Sequence, residues 1–355
     1  MSIVARRQES LQRHRTVHSV RFFLLSRFTK KGYHNTMEIS EFASTQNKTL
    51  EVLSKKLFFI SGVPKSGTTW MQKALDAHPQ ISCAGEGHFF NVLADFIGQS
   101  IEIYNNKLLD TVAREVYEGN PYYPNITDND LHFLVRTFVG LMLAKRGIKE
   151  SALHIGDKTP ANALMLEQIR SVFPETKFIH VYRDGRDVAL STYKHGLRNK
   201  ENPSLSKCIE LAAERWVQYN RAAIEFGKKH GDALLMVSYE AMTANFMQCF
   251  SSILQFLGAD DSETVIEYCR ASSSFEWLSG GRKPGEEDSN SFYRKGVVGD
   301  WQYYFSPENL EAFNRIGGEM LKELGYETGE DVNMLPSLTI SPPILTGYVS
   351  AESRL

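Results

Sequence analysis

The chain has 355 residues, of which 42% are apolar and 23% are charged, and these proportions are typical of a soluble globular protein. Its 40 Lys and Arg residues nearly balance its 42 Asp and Glu residues, so the net charge of −2 argues against a general nucleic-acid binder. The longest apolar runs are too short to span a bilayer, which predicts no integral membrane association. The four cysteines lie far apart without zinc-type spacing and are interpreted as reduced thiols of a cytoplasmic protein.

The amino-terminal segment is strongly basic. Its first 36 residues contain eight Lys or Arg residues and a single acid, Glu9. This bias fits either an organelle-targeting segment or a basic disordered tail, so organelle targeting stays open as the alternative to a cytoplasmic location. We expect three regions: a basic extension over 1–50, one domain over 51–326 and an extended, proline-containing tail over 327–355.

Within the predicted domain, strand patterns are followed by turns and helices. Leu57–Ile60 is an apolar run that predicts a buried strand, and Ser61–Pro64 is rich in turn residues. A helix follows, since apolar residues at helical spacing continue until Pro79. The helical stripe comprises Trp70, Met71, Ala74 and Leu75.

The same order of strand, turn and helix recurs downstream. Strands are predicted at 178–182 and 233–237, and helices at 161–173, 187–194, 206–229 and from Pro307 to Gly325. Strands that alternate with helices predict an α/β fold with a central parallel sheet and helices on both faces. Ligands of such folds bind at the carboxyl ends of the strands.

The segment Gly62–Thr69 joins the first predicted strand to its helix, where backbone N–H groups and the helix dipole form a phosphate cradle. It differs from the loop of nucleoside triphosphatases, in which a lysine follows the second glycine. Here that place is taken by Thr68, and the lysine lies inside the loop at Lys65. A cation there can neutralise an anionic leaving group directly, so the loop does not require a metal. A capped turn with a solvated lysine is the structural alternative.

The stretch Pro64–Trp70 resembles the phosphosulfate-binding loop of sulfotransferases that use 3′-phosphoadenosine-5′-phosphosulfate (PAPS). Two further segments are similar to that family: Arg183–Ser191 resembles its 3′-phosphate segment, and Arg294–Gly296 resembles the loop that closes over this phosphate. The resemblance runs from about residue 56 to residue 325. It implies a P-loop-like nucleotide-binding architecture.

The resemblance also implies a set of donor-binding residues. Trp70 and Phe275 would stack on the adenine and Tyr239 would contact it, although core packing is the alternative for all three rings. Arg183 and Arg294 would present guanidinium donors to the phosphate, each worth roughly 1.5–3 kcal/mol. The full implied set is Lys65, Ser66, Gly67, Thr68, Thr69, Trp70, Arg183, Ser191, Tyr239, Phe275, Arg294, Lys295 and Gly296.

The predicted function is therefore transfer of a sulfuryl group from PAPS to a hydroxyl, less readily an amine, with release of adenosine 3′,5′-bisphosphate (PAP). No metal is required in this interpretation. Two other classes stay open: a magnesium-dependent nucleotide kinase or NTPase, which would lack its usual lysine, and a non-catalytic nucleotide-binding module.

The catalytic base is predicted from a second resemblance. Cytosolic sulfotransferases carry a histidine two residues after a lysine, but Pro160 stands at that place after Lys158. The stretch Leu75–Pro79 followed by Gly85-Glu86 instead resembles tyrosylprotein and bacterial-type sulfotransferases, which use a glutamate after the first helix. Glu86 is thus the leading candidate, and His88 is the runner-up. Lys158 would stabilise the sulfuryl oxygens, with Asp157 orienting that lysine.

The acceptor is not specified by the sequence. Aromatic residues before the second motif could line an apolar acceptor pocket or belong to the core: Phe89, Phe90, Tyr104, Tyr122 and Tyr123. The expected partner is a small-molecule or lipid hydroxyl, with no nucleic acid, and a homodimer is possible.

Overall fold

The computed structural model describes residues 38–115, 123–199, 201 and 204–328, without the side chains of 111–115. Among the described residues, those from Lys48 to 328 belong to one compact unit. Within the described ranges, no helix is both long and apolar enough to cross a membrane. The basic extension with its targeting alternative, and the extended tail, fall largely outside the described residues. The three-region division therefore stays a prediction.

A five-stranded parallel sheet forms the centre of the unit, with strand order β2-β3-β1-β4-β5. Placing β1 in the middle brings the end of the first strand beside the ends of both neighbours, which is where α/β folds bind ligands. The strands are β1 (Lys56–Gly62), β2 (Ile81–Gly85), β3 (His154–Lys158), β4 (Lys177–Tyr182) and β5 (Leu234–Ser238).

Helices follow the strands and cover the sheet. In chain order they are α1 (Ile39–Leu53), α2 (Thr68–Ala77), α3 (Asp95–Glu115), α4 (Asp128–Arg146), α5 (Leu166–Val172), α6 (Gly185–Arg198), α7 (Leu205–Lys229), α8 (Tyr239–Ala244), α9 (Phe246–Leu257), α10 (Glu263–Ser272), α11 (Phe275–Ser279) and α12 (Pro307–Glu323). Shorter elements are a π-helical turn at Phe89–Ala94 and 3₁₀ turns at Pro160–Leu164 and Asp300–Tyr303.

The two faces of the sheet have separate apolar cores, because successive side chains of a strand point to opposite faces. Phe58 packs with Met71, Leu75 and Phe250 on the face covered by α2 and α9. Phe59 packs on the other face with side chains of α4, α5 and α7, among them Val139, Ile169 and Phe226. Both faces are thus covered by helices, which confirms the predicted α/β class.

The strands differ in how well the sequence predicted them. The apolar runs became β1, β4 and β5, whereas β2 and β3 were not predicted, since they contain glycines and polar residues. Gly156 in β3 lies so close to Phe58 that a Cβ atom would be 2.2 Å from its ring. Burial between neighbouring strands, rather than local composition, therefore decides that these segments are extended.

Two predicted helices have different bounds in the structure. The helix expected over 161–173 is a 3₁₀ turn followed by the shorter α5, because Asn162 donates its side-chain N–H to the carbonyl of Ile60 and ties the turn to β1. The helix expected over 187–194 extends from Gly185 to Arg198. The last helix begins as expected, with Ser306 and Asn309 forming a capping box.

Candidate active site

The loop between β1 and α2 is shaped by two residues in the left-handed region, Lys65 at φ +79° and Gly67 at φ +93°. A Cβ atom at Gly67 would lie 2.5 Å from the Tyr239 ring, so only glycine fits this close approach. The Ser66 hydroxyl is fully buried and has no hydrogen-bond partner in the described structure. An unsatisfied buried hydroxyl at a helix amino terminus is consistent with an anion-binding loop.

Arg183 follows the last residue of β4, next to this loop. Its Nη2 donates to Asp187 Oδ2 at 3.0 Å and to the Val297 carbonyl at 2.8 Å. Its guanidinium carbon lies 4.5 Å from the centroid of the Tyr239 ring. Its buried Nε has no partner. The side chain is thus held rigidly while one N–H donor stays available to a ligand.

Aromatic rings form the wall beside Arg183. Trp70 and Tyr239 meet edge to face, with ring centroids 5.4 Å apart. On the opposite side, Phe275 covers Gly296, where a Cβ atom would lie 2.4 Å from the ring. All three predicted aromatic residues line one cavity, as an adenine site requires.

The loop before α12 carries Arg294 and Lys295, and both are already paired with acids. Arg294 contacts Glu287 at 2.8 Å and Asp300 at 2.5 Å, while Lys295 contacts Asp300 at 2.6 Å. The loop is anchored to α6, since Asp187 accepts hydrogen bonds from the N–H groups of Gly299 and Trp301. Asp187 therefore has a structural role, since it anchors this distant loop and pairs with Arg183.

Glu86 and Lys158 form an ion pair at the ends of β2 and β3. Lys158 Nζ lies 2.5 Å from Glu86 Oε1, and the lysine is buried while about half of the glutamate side chain is exposed. The hydrogen bond from Lys158 lowers the pKa of Glu86, although partial burial opposes this shift. The carboxylate is therefore ionised at neutral pH and faces solvent.

The backbone around Glu86 is constrained. Glu86 and His88 both have positive φ, at +59° and +51°, which is uncommon for residues other than glycine and typical of functional loops. Asp157 holds this segment, since its carboxylate accepts from the Gly87 N–H at 3.0 Å and from the Thr159 hydroxyl at 2.9 Å. Its hydrogen bonds therefore position the turn that carries Glu86, and neither of these two bonds involves Lys158, which it was expected to orient.

A cavity of about 510 Å³ brings most of the predicted residues together. Ser66 and Lys158 are buried and are not among its lining residues, although Lys158 contacts Glu86, which is one of them. His88 lines a different cavity, with Nε2 3.8 Å from Glu86 Oε2. The predicted residues that line the first cavity are Lys65, Gly67, Thr68, Thr69, Trp70, Glu86, Arg183, Ser191, Tyr239, Phe275, Arg294, Lys295 and Gly296.

Sequence reasoning missed the basic side chains that α6 adds to this cavity. Lys194, His195 and Arg198 lie one and two turns after Ser191 and also line the cavity. The signal was present, because residues three and seven positions apart share one face of a helix. Burial, followed by the charge of Arg198, lowers the pKa of Lys65 to about 8.

The aromatic residues considered for the acceptor have separate places. Phe90 belongs to the core, where it contacts Phe59 edge to face, and the buried Phe89 lines the second cavity. Tyr104 and Tyr123 are exposed. Tyr122 lies outside the described residues.

The first cavity fits a phosphorylated nucleotide. The free Nε donor of Arg183, a lining residue, is a buried polar atom that an anion would satisfy, and the aromatic rings suit a base. Across the described ranges, no three His, Cys, Asp or Glu residues gather closely enough to hold a metal.

Comparisons with known proteins agree with this geometry. A model of the sulfotransferase family matches residues 58–263. Protein-tyrosine sulfotransferase 2 of Gallus gallus is 28% identical over 282 residues, which cover 76% of this chain and 66% of the relative. Cytosolic sulfotransferase 17 of Arabidopsis thaliana is 26% identical, with 76% of this chain and 75% of the relative covered.

Among solved structures, mouse sulfotransferase SULT7A1 complexed with PAP has the same fold. Its TM-score is 0.50 at 20% identity, with 82% of this chain and 92% of that chain covered. The family match spans more than half of the chain and confirms the resemblance found in the sequence; the kinase alternative is not favoured. The chain belongs to the sulfotransferase family, whose enzymes transfer a sulfuryl group from PAPS to a hydroxyl acceptor.

Proposed function

We propose that this chain transfers the sulfuryl group of PAPS to an alcohol, with Glu86 as the base and with Lys65 and Lys158 as the stabilising cations. One observation carries the assignment: the Glu86–Lys158 ion pair lies at the cavity that also contains Lys65. Glu86, Lys65 and Lys158 are close enough to influence one another, since both lysines lower the pKa of the glutamate. A base close to two cations suits sulfuryl transfer, because the reaction needs a proton acceptor and positive charge near the reacting oxygens.

The donor-binding residues divide by chemistry. Ser66, the loop N–H groups and Lys65 would hold the phosphosulfate, while Arg183, Ser191, Arg294, Lys295 and Gly296 would hold the 3′-phosphate. Trp70, Tyr239 and Phe275 would enclose the adenine. When bound, PAPS supplies an activated sulfur whose bond to phosphate breaks as the acceptor oxygen attacks. Positioning and charge stabilisation supply most of the catalysis in such transfers.

The chain's own groups move the proton and balance the charge. Glu86 accepts the acceptor's hydroxyl proton, and Lys65 neutralises the phosphate that leaves. Lys158 is paired with Glu86 before the reaction, so it must turn toward the sulfuryl oxygens, which frees the carboxylate to accept a proton. The ion pair thus keeps Glu86 ionised until the donor is in place.

The acceptor and the cellular context belong to this proposal as well. The relatives include protein-tyrosine and cytosolic sulfotransferases. We retain a small-molecule or lipid hydroxyl as the acceptor of this chain, with a cytoplasmic location and a possible homodimer as the accompanying predictions. A non-catalytic binding module is the remaining alternative, and it predicts PAP binding without any transfer.

The test replaces the base. Glu86→Gln keeps the size of the side chain but removes its charge, and loss of a general base typically costs about 10²–10⁴ in rate. Transfer of labelled sulfate from PAPS should first be screened over phenols, aliphatic alcohols and tyrosine peptides to select an acceptor. With that acceptor at saturation, Glu86→Gln should lose turnover by this factor while the affinity for PAP stays within about threefold.

His88→Asn is the matched control. His88 is two residues away and shares the unusual backbone conformation, but it lines the other cavity, so its replacement should cost far less turnover. Near-normal turnover in Glu86→Gln would show that the base is another group. Absence of transfer by the parent chain to every acceptor would favour the binding module.

A further inference from the structure

A second cavity, of about 480 Å³, lies between the π-helical turn, α3 and α4. Its volume falls within the range of roughly 300–1,000 Å³ that is usual for small-molecule sites. It is separate from the donor cavity and contains none of the residues assigned to PAPS. Its apolar lining consists of Phe89, Val92, Leu93, Phe96, Phe138 and Met142.

This second cavity borders the candidate base. Gly87 and His88 form part of its lining, whereas Glu86 lines the donor cavity. The three residues therefore form a ridge between the two cavities, and His88 Nε2 is only 3.8 Å from Glu86 Oε2. A hydroxyl placed at Glu86 can belong to a molecule whose remaining part crosses this ridge.

The polar groups around the second cavity are paired with one another. Gln99 Nε2 donates to Asp95 Oδ2 at 2.8 Å, and Asn91 contacts His88 Nδ1 at 3.2 Å. These pairs leave the apolar side chains as the main surface offered to a ligand. The donor cavity differs sharply, because cations line it, among them Lys65, Arg183 and Arg198.

The apolar lining is also unusually open to solvent. Val92 is 59% exposed, Phe96 42% and Met142 41%, although all three line the same concave surface. Apolar side chains clustered at an open cavity mark a binding surface, since covering them removes their contact with water. An aliphatic ligand would cover them, whereas a charged ligand would find no partner among these three side chains.

We propose that the second cavity binds the aliphatic portion of the acceptor, so that the acceptor is an amphiphilic alcohol whose hydroxyl lies at Glu86. The position of the hydroxyl rests on the function proposed above. The inference that the aliphatic portion lies in the second cavity rests on the apolar lining of the cavity and on its contact with the ridge. A charged or short acceptor would leave the cavity unfilled.

The test measures binding of normal primary alcohols, from butanol to octanol, to the full chain saturated with PAP, by calorimetry. Each added methylene should tighten binding by about threefold to fourfold, because burying one is worth roughly 0.8 kcal/mol. Phe96→Asp and Met142→Asp place a carboxylate in the cavity and should abolish this dependence on chain length. Phe133→Asp, on an exposed part of α4 outside the cavity, should preserve it.

Two measurements separate failure of this inference from failure of the proposed function. Affinity for PAP should be unchanged in all three variants, since none of these residues lines the donor cavity. A parent chain that transfers sulfate but shows no dependence on chain length would overturn the aliphatic site alone. A dependence that survives both cavity substitutions would also overturn it. A parent chain that binds the alcohols as expected but transfers no sulfate would instead contradict the proposed function.

Discussion

The two sides of the donor cavity are built in different ways. On one side, the loop after β1 and Arg183 after β4 hold buried polar atoms without partners, the Ser66 hydroxyl and the Arg183 Nε. On the other side, Arg294 forms ion pairs with Glu287 and Asp300, and Lys295 forms one with Asp300. The first side, called the ready side below, offers unpaired donors to an anion. On the second, called the engaged side, a ligand phosphate must displace Glu287 and Asp300 from Arg294 and Lys295. Each cation on the second side should therefore contribute less to affinity.

The ready side gives the largest expected effect on donor binding. Arg183→Gln removes a charge-assisted hydrogen bond to the 3′-phosphate, worth roughly 1.5–3 kcal/mol, so PAP affinity should fall by about 10- to 100-fold. Adenosine 5′-phosphate lacks that phosphate and should lose less than about threefold. Calorimetry with both ligands measures the difference. Equal losses for the two ligands would show that Arg183 does not contact the 3′-phosphate.

Arg186→Gln provides the control three residues further along the chain, in the first turn of α6. Arg186 is buried against Asp184 and stacks on Trp301 at 4.0 Å, but it does not line the cavity. Its replacement should lower the thermal stability. Any loss of affinity should be the same for PAP and for adenosine 5′-phosphate. The ligand preference therefore separates a contact with phosphate from a general loss of stability.

Substitutions on the engaged side should change PAP affinity less than Arg183→Gln does, and they should lower it in one case and raise it in another. Arg294→Ala should reduce PAP affinity by only about threefold to fivefold, because part of the gain from the phosphate contact is offset by breaking the pairs with Glu287 and Asp300. Glu287→Gln removes one competing acid and should raise PAP affinity by about twofold to threefold. Calorimetry again provides the measurement.

Glu286→Gln is the neighbouring control, since Glu286 accepts a hydrogen bond from the Lys283 N–H and does not contact Arg294. Its affinity for PAP should equal that of the parent. If Arg294→Ala costs as much as Arg183→Gln, the contrast between the two sides is wrong.

What the sequence could predict also differs between regions. Most residues of the candidate donor site could be named from the sequence because they lie in three short motifs, each at the end of a strand with a continuous apolar run or in a loop with distinctive residues. Tyr239 and Phe275 lie outside these motifs. The Glu86–Lys158 pair was not predictable as a contact. Its two residues lie 72 positions apart and follow or end β2 and β3, whose polar composition hides the strands.

The register of the sheet explains the contact. Gly85 pairs with Lys158 across β2 and β3, so the next residue of the chain, Glu86, comes beside the lysine. Such a pairing depends on which strands are neighbours, and local patterns do not carry that information. Arg198 was missed for a simpler reason, since the predicted helix ended one turn too early.

The pH dependence of PAP binding tests whether the ready side depends on the charge of Lys65. Burial and Arg198 lower the pKa of Lys65 to about 8, so the free protein loses this proton as the pH rises through about 8. Only the ammonium form attracts the donor's anionic groups. PAP affinity should therefore change little between about pH 7 and pH 7.5 and fall by about fivefold between pH 8 and pH 9. Lys65→Met should bind PAP more weakly and lose this dependence. Arg198→Met removes a neighbouring cation that lowers the pKa of Lys65, so the midpoint should move above 8, whereas Arg215→Met, on the exposed face of α7, should leave it unchanged. A midpoint that persists in Lys65→Met would assign the titration to another group and remove Lys65 from the ready side.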